Sequence, residues 1–458
     1  MTSETHRVEI DVVDFQISCR RFTVRAMITR DRQLPVVDEF VLRLLAILDR
    51  MPVARMRSWF GFSEAEMETV LVDIGRRNFI EFDGNEVVLA PAGRDLFKVA
   101  EVDSIPQIVE VAPLIGDVWF DLVSRNMVPR SRSKPADYLV KLPEILSARE
   151  LPEAFARTAF EENFRDYVRR IRRFPDADAI NLYSISGVEG GAYGYQVLQA
   201  GLMLDTDHMS VRPIFPDTGD SGASFQKLTV AANNAWQMAS PPEAAASTFS
   251  EFERMTGETR LTSLMNAPED VDAWINAFSL TKLPNSDFQP TLGASYLKGN
   301  LKRLLETIET FDSPAVHEIV WLRPSGSTWG RTVQVVEALA EMREALRIKG
   351  HADVRTSLLM PRSTQKAIRA SHKKVFDNGW LLPQGHLPSN MEVLLIPDVA
   401  ALVNVHVRAG MHSVPVGGLV FDSKRVARIG ERLRPGQAGG WEKVWTPTRS
   451  PRTTQEPE

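Results

Sequence analysis

Hydrophobic and polar positions along the chain change period several times, and each change marks an element. Between residues 6 and 30, apolar positions recur every second residue at Val8, Ile10 and Val12, and again at Phe22, Val24, Ala26 and Ile28. That period predicts two short strands, ended by Leu34-Pro35. Three helical stripes follow. Phe40, Leu44, Ile47 and Leu48 stand at i, i+4, i+7 and i+8; Val53, Met56 and Phe60 make a shorter stripe; Met67, Val70, Leu71 and Ile74 make a third, facing inward. Ser63-Glu64-Ala65-Glu66 opens the third helix as a capping box, with Ser63 and Glu66 each satisfying the other's backbone N–H. Phe79–Phe82 and Glu86–Leu89 flank Asp83-Gly84-Asn85, a hairpin signal because Asp-Gly accommodates positive φ. Ala90-Pro91-Ala92-Gly93 then opens a fourth helix running to Phe97.

Residues 101–175 read as mainly helical, interrupted by a Ser-, Arg- and Pro-rich loop at 129–135. Strands are predicted within 178–215, a polar loop at 217–224, and mainly helix over 225–310. From residue 314 strands and helices alternate. Val316–Leu322, Val354–Met360, Glu392–Ile396, Ala401–Val407 and Val414–Phe421 read as strands; Thr332–Leu346, Gln365–Asp377 and Ser423–Leu433 read as helices. After Pro435 apolar periodicity ends, so 435–458 is expected to be a disordered tail. The fold class expected is a mixed, multi-domain α/β protein. It divides into N-terminal strands (1–34), a helical domain with a hairpin (35–100), a mixed helical and β region (101–310) and a C-terminal α/β domain (314–434). No internal repeat is visible.

Composition narrows the function classes. With 458 residues, 43% hydrophobic and 25% charged, the chain can bury several cores. A net charge of -5 means that any polyanion surface must be a local patch. The single cysteine, Cys19, allows neither an internal disulfide nor a cysteine zinc site. The eight histidines show no metal-ligand spacing, so no cofactor is expected. No apolar run is long enough to span a bilayer and the first residues do not read as a signal peptide, so a cytoplasmic location without membrane contact is expected.

Helix, helix, helix, hairpin is the order of a winged helix. The stretch from Gly61 to Phe97 resembles the second half of winged-helix domains, including the ending Val88-Leu89-Ala90-Pro91-Ala92-Gly93-Arg94-Asp95-Leu96. The resemblance implies DNA binding, with the third helix in the major groove. The charges oppose that simple version. Glu64, Glu66, Glu68 and Asp73 crowd the third helix against Arg76 and Arg77, and Glu81, Asp83 and Glu86 make the wing acidic. Carboxylates there stabilise the helix N-terminus and repel phosphate. Two readings stay open: DNA contact by an unusual face, using cations such as Arg43, Arg50, Arg55 and Arg57, or a winged helix that packs against protein.

Three basic segments are candidate nucleic-acid contacts, since guanidinium groups match phosphate oxygens. They are the loop with Arg125, Arg130, Arg132 and Lys134; the helix face Arg165, Arg169, Arg172 and Arg173; and Lys366, Arg369, His372, Lys373 and Lys374. Each has a plainer reading, a solvated face paired with nearby carboxylates.

The order of elements from 316 to 433 resembles one half of the phospholipase D superfamily, in which a hairpin carries His-x-Lys-x4-Asp. The resemblance implies a histidine nucleophile, a lysine on the phosphate and a carboxylate that orients the histidine. His406 falls at the histidine, Arg408 at the lysine and Ser413 at the aspartate; Gly417-Gly418 stands where a Gly-Ser pair would follow. Arginine can hold phosphate, but serine cannot orient an imidazole as a carboxylate does, and no second motif is present in the chain.

Weaker signals have structural readings. Ser325–Gly330 lacks the lysine of a phosphate-binding loop and reads as a turn; Ser184 and Ser186 lie in no nucleophile elbow; Tyr193 and Tyr195 read as hairpin packing. The leading expectation is a non-catalytic, DNA-associated or complex-forming accessory protein, with nucleic acid and other subunits as partners. Its architecture resembles accessory proteins of bacterial anti-phage defence islands. The alternative is a phospholipase D-like nuclease or phosphodiesterase using His406 and Arg408.

Overall fold

The computed structural model describes residues 7–98, 107–128, 135–205, 208, 210–216, 223–239, 241–242, 247–261, 287–311, 316–409, 412–436 and 439–446. The protein is a mixed α/β, multi-domain structure. Strand β1 (Arg7–Gln33) is one element of 27 residues where alternation predicts two. Its register shifts at Glu9/Asp11, Arg20/Phe22, Arg25/Ala26 and Met27/Ile28. Each irregularity breaks the two-residue period in the sequence while the ladder continues.

At Leu34-Pro35 the chain enters the helical domain with its hairpin: α1 (Val36–Leu48), β2 (Arg50–Pro52), α2 (Val53–Phe60), α3 (Glu64–Arg76), β3 (Ile80–Asp83), β4 (Glu86–Leu89) and α4 (Pro91–Lys98), with the three strands in the order β2-β4-β3. The capping box forms as read: Glu66 N–H donates to Ser63 Oγ, and Ser63 N–H donates to the Glu66 carboxylate at 2.8 Å. Gly61 closes α2 at φ 70°, and Gly84 turns the wing at φ 61°. Val41, Leu42, Leu45, Met56, Met67, Leu71 and Ile74 form a core of the domain's own. Of the stripe Phe40, Leu44, Ile47, Leu48, Leu44 packs against this core while the rest stays outside; Phe40 and Leu48 are exposed and Ile47 is 80% exposed. The buried face of α1 carries Asp38 beside Val41, Leu42 and Leu45. Arg77 donates to Asp38 at 3.0 Å, and that bond lets a carboxylate occupy the inner face.

Strand β5 (Gln107–Asp121) rejoins the sheet with Gln107 opposite Gln33, so the helical domain is inserted at the end of a two-stranded ribbon. The expectation of helix across 101–175 fails at β5. Apolar residues lie on both of its faces, with Leu114, Val118 and Phe120 buried and Val111 and Ile115 exposed, so neither period stands out. The chain continues through β6 (Met127–Val128), β7 (Val140–Lys141), α5 (Leu146–Glu150), α6 (Pro152–Asp166), β8 (Ile180–Asp205) and β9 (Ser210–Ile214). The sheet runs β6-β5-β1-β8-β9, with β7 beside β1. Phe155, Phe160 and Phe164 of α6 pack on Phe22, Val24, Ala26 and Ile28 of β1.

Then follow α7 (Ala223–Gln237), α8 (Thr248–Thr256), β10 (Phe288–Leu292), α9 (Lys298–Thr310), β11 (Glu318–Leu322), α10 (Val333–Ile348), β12 (Arg355–Met360), α11 (Lys366–Ser371), β13 (Asn378–Leu381), β14 (Met391–Ile396), β15 (Ala400–Ala409), β16 (His412–Val420), α12 (Ser423–Leu433) and β17 (Glu442–Trp445). The expectation of mainly helix over 225–310 misses β10, and the helix expected at 365–377 is only the six residues of α11. The second sheet runs β10-β16-β15-β14-β11-β12-β13-β17. Strands β11, β12 and β13 are mutually parallel; the rest pair antiparallel. β17 corrects the disordered tail in part: Trp445 is buried over Gly379 and donates Nε1–H to the Phe376 carbonyl at 3.0 Å. Both faces of the sheet are covered. Val393, Val403 and Val405 face Ile10, Val13 and Phe15 of β1, while Leu394, Leu402, Leu419 and Trp321 face Leu301 and Leu339. No helix among the described residues is long and apolar enough to cross a membrane.

Candidate functional site

On β14 and β15 the face that carries Leu394 and Leu402 turns polar toward one end. Glu392, Asn404 and His406 stand there, all buried. Glu392 pairs across the ladder with Asn404, so His406 lies one diagonal step away. Glu392 Oε2 meets His406 Nε2 at 3.1 Å. The other carboxylate oxygen accepts from Ser295 Oγ and, at 3.4 Å, from Trp321 Nε1. Burial alone raises the Glu392 pKa, but the bonds from His406 and Ser295 outweigh it and hold the carboxyl below its usual range. A buried carboxylate, which Ser413 cannot supply, thus stands beside His406, delivered by the neighbouring strand. A lone acid in the apolar run Met391–Ile396 is the sequence signal that could have found it.

A second carboxylate comes from β1. Asp11 Oδ1 accepts from Tyr296 Oη at 2.6 Å and from its neighbour's amide, Val12 N–H, at 2.7 Å. Burial, with Glu392 and Glu9 nearby, pushes the Asp11 carboxyl up to about 7. Asp11, His406 and His412 line one slot with Trp236 and Trp329. The slot offers about 20 Å³, room for about one water molecule. Arg408 shares the strand face of His406 but is exposed, directly opposite Ser413. Gly417 lies opposite Asn404 in the ladder, where a Cβ would meet the Val403 carbonyl oxygen at 1.9 Å; its role there is packing.

Farther along the same ends of the parallel strands lies a buried basic pair. Arg323 donates to the Pro324 and Gly326 carbonyls, and burial brings its pKa down to about 9. Burial, then the charge of Arg323, drops the His372 pKa to about 3, so this imidazole is neutral. The turn at Ser325–Gly330 is followed by α10, whose first amides are already met: Asp14 Oδ2 accepts from Thr332 Oγ1 at 2.9 Å and from Val333 N–H at 2.6 Å. A carboxylate of the chain thus occupies the helix N-terminus.

The basic segments are drawn into local structure. Arg165 donates to the Asp178 and Ile180 carbonyls and to Asn181, Arg169 pairs with Asp178, and Arg172 donates to the Ile115 carbonyl at 2.6 Å. Arg173, exposed, sits at φ 52° just beyond the helix. Arg369 donates to the Thr364 and Arg362 carbonyls, and Lys374 pairs with Asp137 at 3.2 Å. Lys366 and Lys373 are exposed. Arg130, Arg132 and Lys134 lie outside the described residues, and Arg125 pairs with Glu162. On the inserted helical domain, Arg43 pairs with Glu39, Arg50 with Asp83 and Glu86, Arg57 with Glu64 and Arg76 with Asp73. Among the described residues no three His, Cys, Asp or Glu side chains are grouped to hold a metal ion.

No family model matches the chain, and no curated protein matches it. Among solved structures, one similar chain is TrmBL2, described as an archaeal chromatin protein with a novel mode of DNA binding. The identity is 14% over 49% of this chain and 69% of that one, with a TM-score of 0.20. At that score the likeness carries no argument about fold or function.

Proposed function

We propose that this protein is a non-catalytic accessory protein that works by forming complexes, with its winged helix as the protein-docking module. The observation that carries this reading is the surface of that domain. Residues 35–98 hold eleven acidic against eight basic side chains, and several of the arginines are spent on carboxylates of the domain itself. Between α2, α3 and the wing runs a groove of about 590 Å³, where Val53, Leu71, Val72 and Phe82 lie beside Glu64 and Glu68. Val72 and Phe82 are exposed apolar residues. An apolar floor rimmed by acids is complementary to a basic amphipathic segment of a partner protein. The likeness to accessory proteins of anti-phage defence islands implies a role of the same kind.

Two titrations test it on the full chain. A Lys/Leu amphipathic peptide should bind at least roughly tenfold tighter than a Glu/Leu peptide with the same apolar face, and Phe82→Asp should remove the difference. Duplex DNA across a salt series should bind weakly, with a log–log slope of only about −2 to −3 from the few exposed cations. Tight DNA binding with a steep slope, and no peptide preference, would sink the docking reading.

One observation favours a second reading, a phospholipase D-like phosphodiesterase: Glu392 holds His406 as the chemistry would require. The slot of about 20 Å³ opposes it, since a phosphodiester cannot reach the imidazole there. Hydrolysis of bis(p-nitrophenyl) phosphate that is abolished by His406→Ala would establish the enzyme; equal rates for both proteins would dismiss it.

A further inference from the structure

A cavity of about 500 Å³ opens beside the His406 slot and shares Trp236, Ala239 and Thr328 with it. Its position follows from topology. Ser327, Thr328 and Arg331 come from the turn after β11, and Ala367, Ala370 and Ser371 from α11, after β12. This is the crevice at the carboxyl ends of parallel strands, where α/β folds expose loops to a ligand. The opposite wall is Phe15 of β1, Lys141 of β7 and Trp236 of α7. Its volume is that of a small-molecule site.

Two donors in this wall have no acceptor. Arg331 Nη1 donates to the Asp137, Tyr138 and Leu139 carbonyls and Nε to Ser327, which fixes the guanidinium in place; among the described residues Nη2 has no partner. Trp236, 7% exposed and stacked on His412, has an Nε1–H without an acceptor. The buried Trp236 donor is costly to leave unmet and calls for an acceptor from outside, and Arg331 Nη2 in the same wall offers that acceptor a second bond. Charge agrees: Lys141 and Lys374 both sit on the single carboxylate of Asp137, leaving the mouth cationic together with Arg331. The rest of the lining is apolar, from Phe15, Leu139, Val140, Ala235 and Met238.

We infer that this cavity binds a small carboxylate with an apolar, ring-sized body, its two oxygens taking Arg331 Nη2 and Trp236 Nε1 while the body packs on Phe15 and Leu139. The site is independent of the winged-helix groove and of hydrolysis at His406.

The probe is 2-naphthoate, with 2-naphthalenemethanol as its uncharged counterpart, titrated calorimetrically into the full chain. The carboxylate should bind roughly fivefold or more tighter than the alcohol, and Lys141→Met should shrink that preference without changing the affinity for the alcohol. Ala370 is exposed on α11, so Ala370→Trp fills the cavity without loading the core. It should abolish binding of both compounds while the thermal unfolding curve stays in place. Equal affinity for the two compounds, undiminished binding by Ala370→Trp, or no heat with millimolar naphthoate would each overturn the assignment.

Discussion

The inserted helical domain and the sheet around His406 bury polar groups in opposite ways. The helical domain keeps its carboxylates outside, in exposed pairs such as Arg50 with Asp83 and Arg57 with Glu64, and admits Asp38 only with Arg77 attached. The second sheet places Glu392, Asn404 and His406 inside, and β1 adds Asp11 from the first sheet; each depends on partners from other elements. Exposed pairs contribute little and tolerate change, whereas buried ones are costly to leave half-made. The first region is a local fold with its own core; the second exists only once distant segments have met.

Substitutions sharpen that contrast, and the largest effect is expected at the sheet. Gly417→Ala drives a Cβ into the Val403 carbonyl at 1.9 Å and should cost more than about 4 kcal/mol, seen as loss of the main thermal transition. Glu392→Gln leaves Ser295 and His406 with a poorer partner and should cost roughly 2–4 kcal/mol by denaturant titration. Met67→Ala opens the core of the helical domain and should cost roughly 2–4 kcal/mol in that domain alone. A single shifted transition for the whole molecule would refute the independence of the two regions.

Asp11→Asn gives a smaller effect that depends on pH. The folded carboxyl titrates at about 7 against an ordinary 3.8. Between those values only the unfolded chain releases the proton, so wild-type stability from this group falls as pH rises and the loss is complete above about pH 7. Asn keeps an oxygen for Tyr296 and does not ionise. The variant should match wild type near pH 4 and exceed it at pH 8 by roughly 1–3 kcal/mol. The smallest effect belongs to the surface: Ser63→Ala removes half of the capping box and should lower the stability of the helical domain by about 1 kcal/mol, independent of pH near neutrality.

Legibility in the sequence follows the same division. Caps, turn glycines and helical stripes of the helical domain act within a few residues, so its helices and hairpin could be read directly, whereas the three residues of β2 are too few to show a period. What misled was α1, where the outward stripe of Phe40, Ile47 and Leu48 is as regular as the buried one, and the buried one contains an aspartate. At the candidate site His406 was visible through spacing, but Glu392, Ser295, Tyr296 and Asp11 approach it from separations of 14 to 395 residues, which no local pattern encodes. The arginine helix looked like a phosphate surface because the carbonyls that hold Arg165 and Arg172 belong to segments brought in by folding.

The unbroken length of β1 also has a mechanical meaning. Asp11 and Gln33 are joined by 22 residues of continuous ladder, on the order of 70 Å at about 3.3 Å per residue if the strand were straight. The helical domain is attached at both ends to that ribbon, through Gln33 and Gln107, so it cannot swing freely as a domain on a single thread would. A bend of about 5° in the ribbon near Asp11 would sweep the far end, and the domain it carries, by about 6 Å over that lever arm.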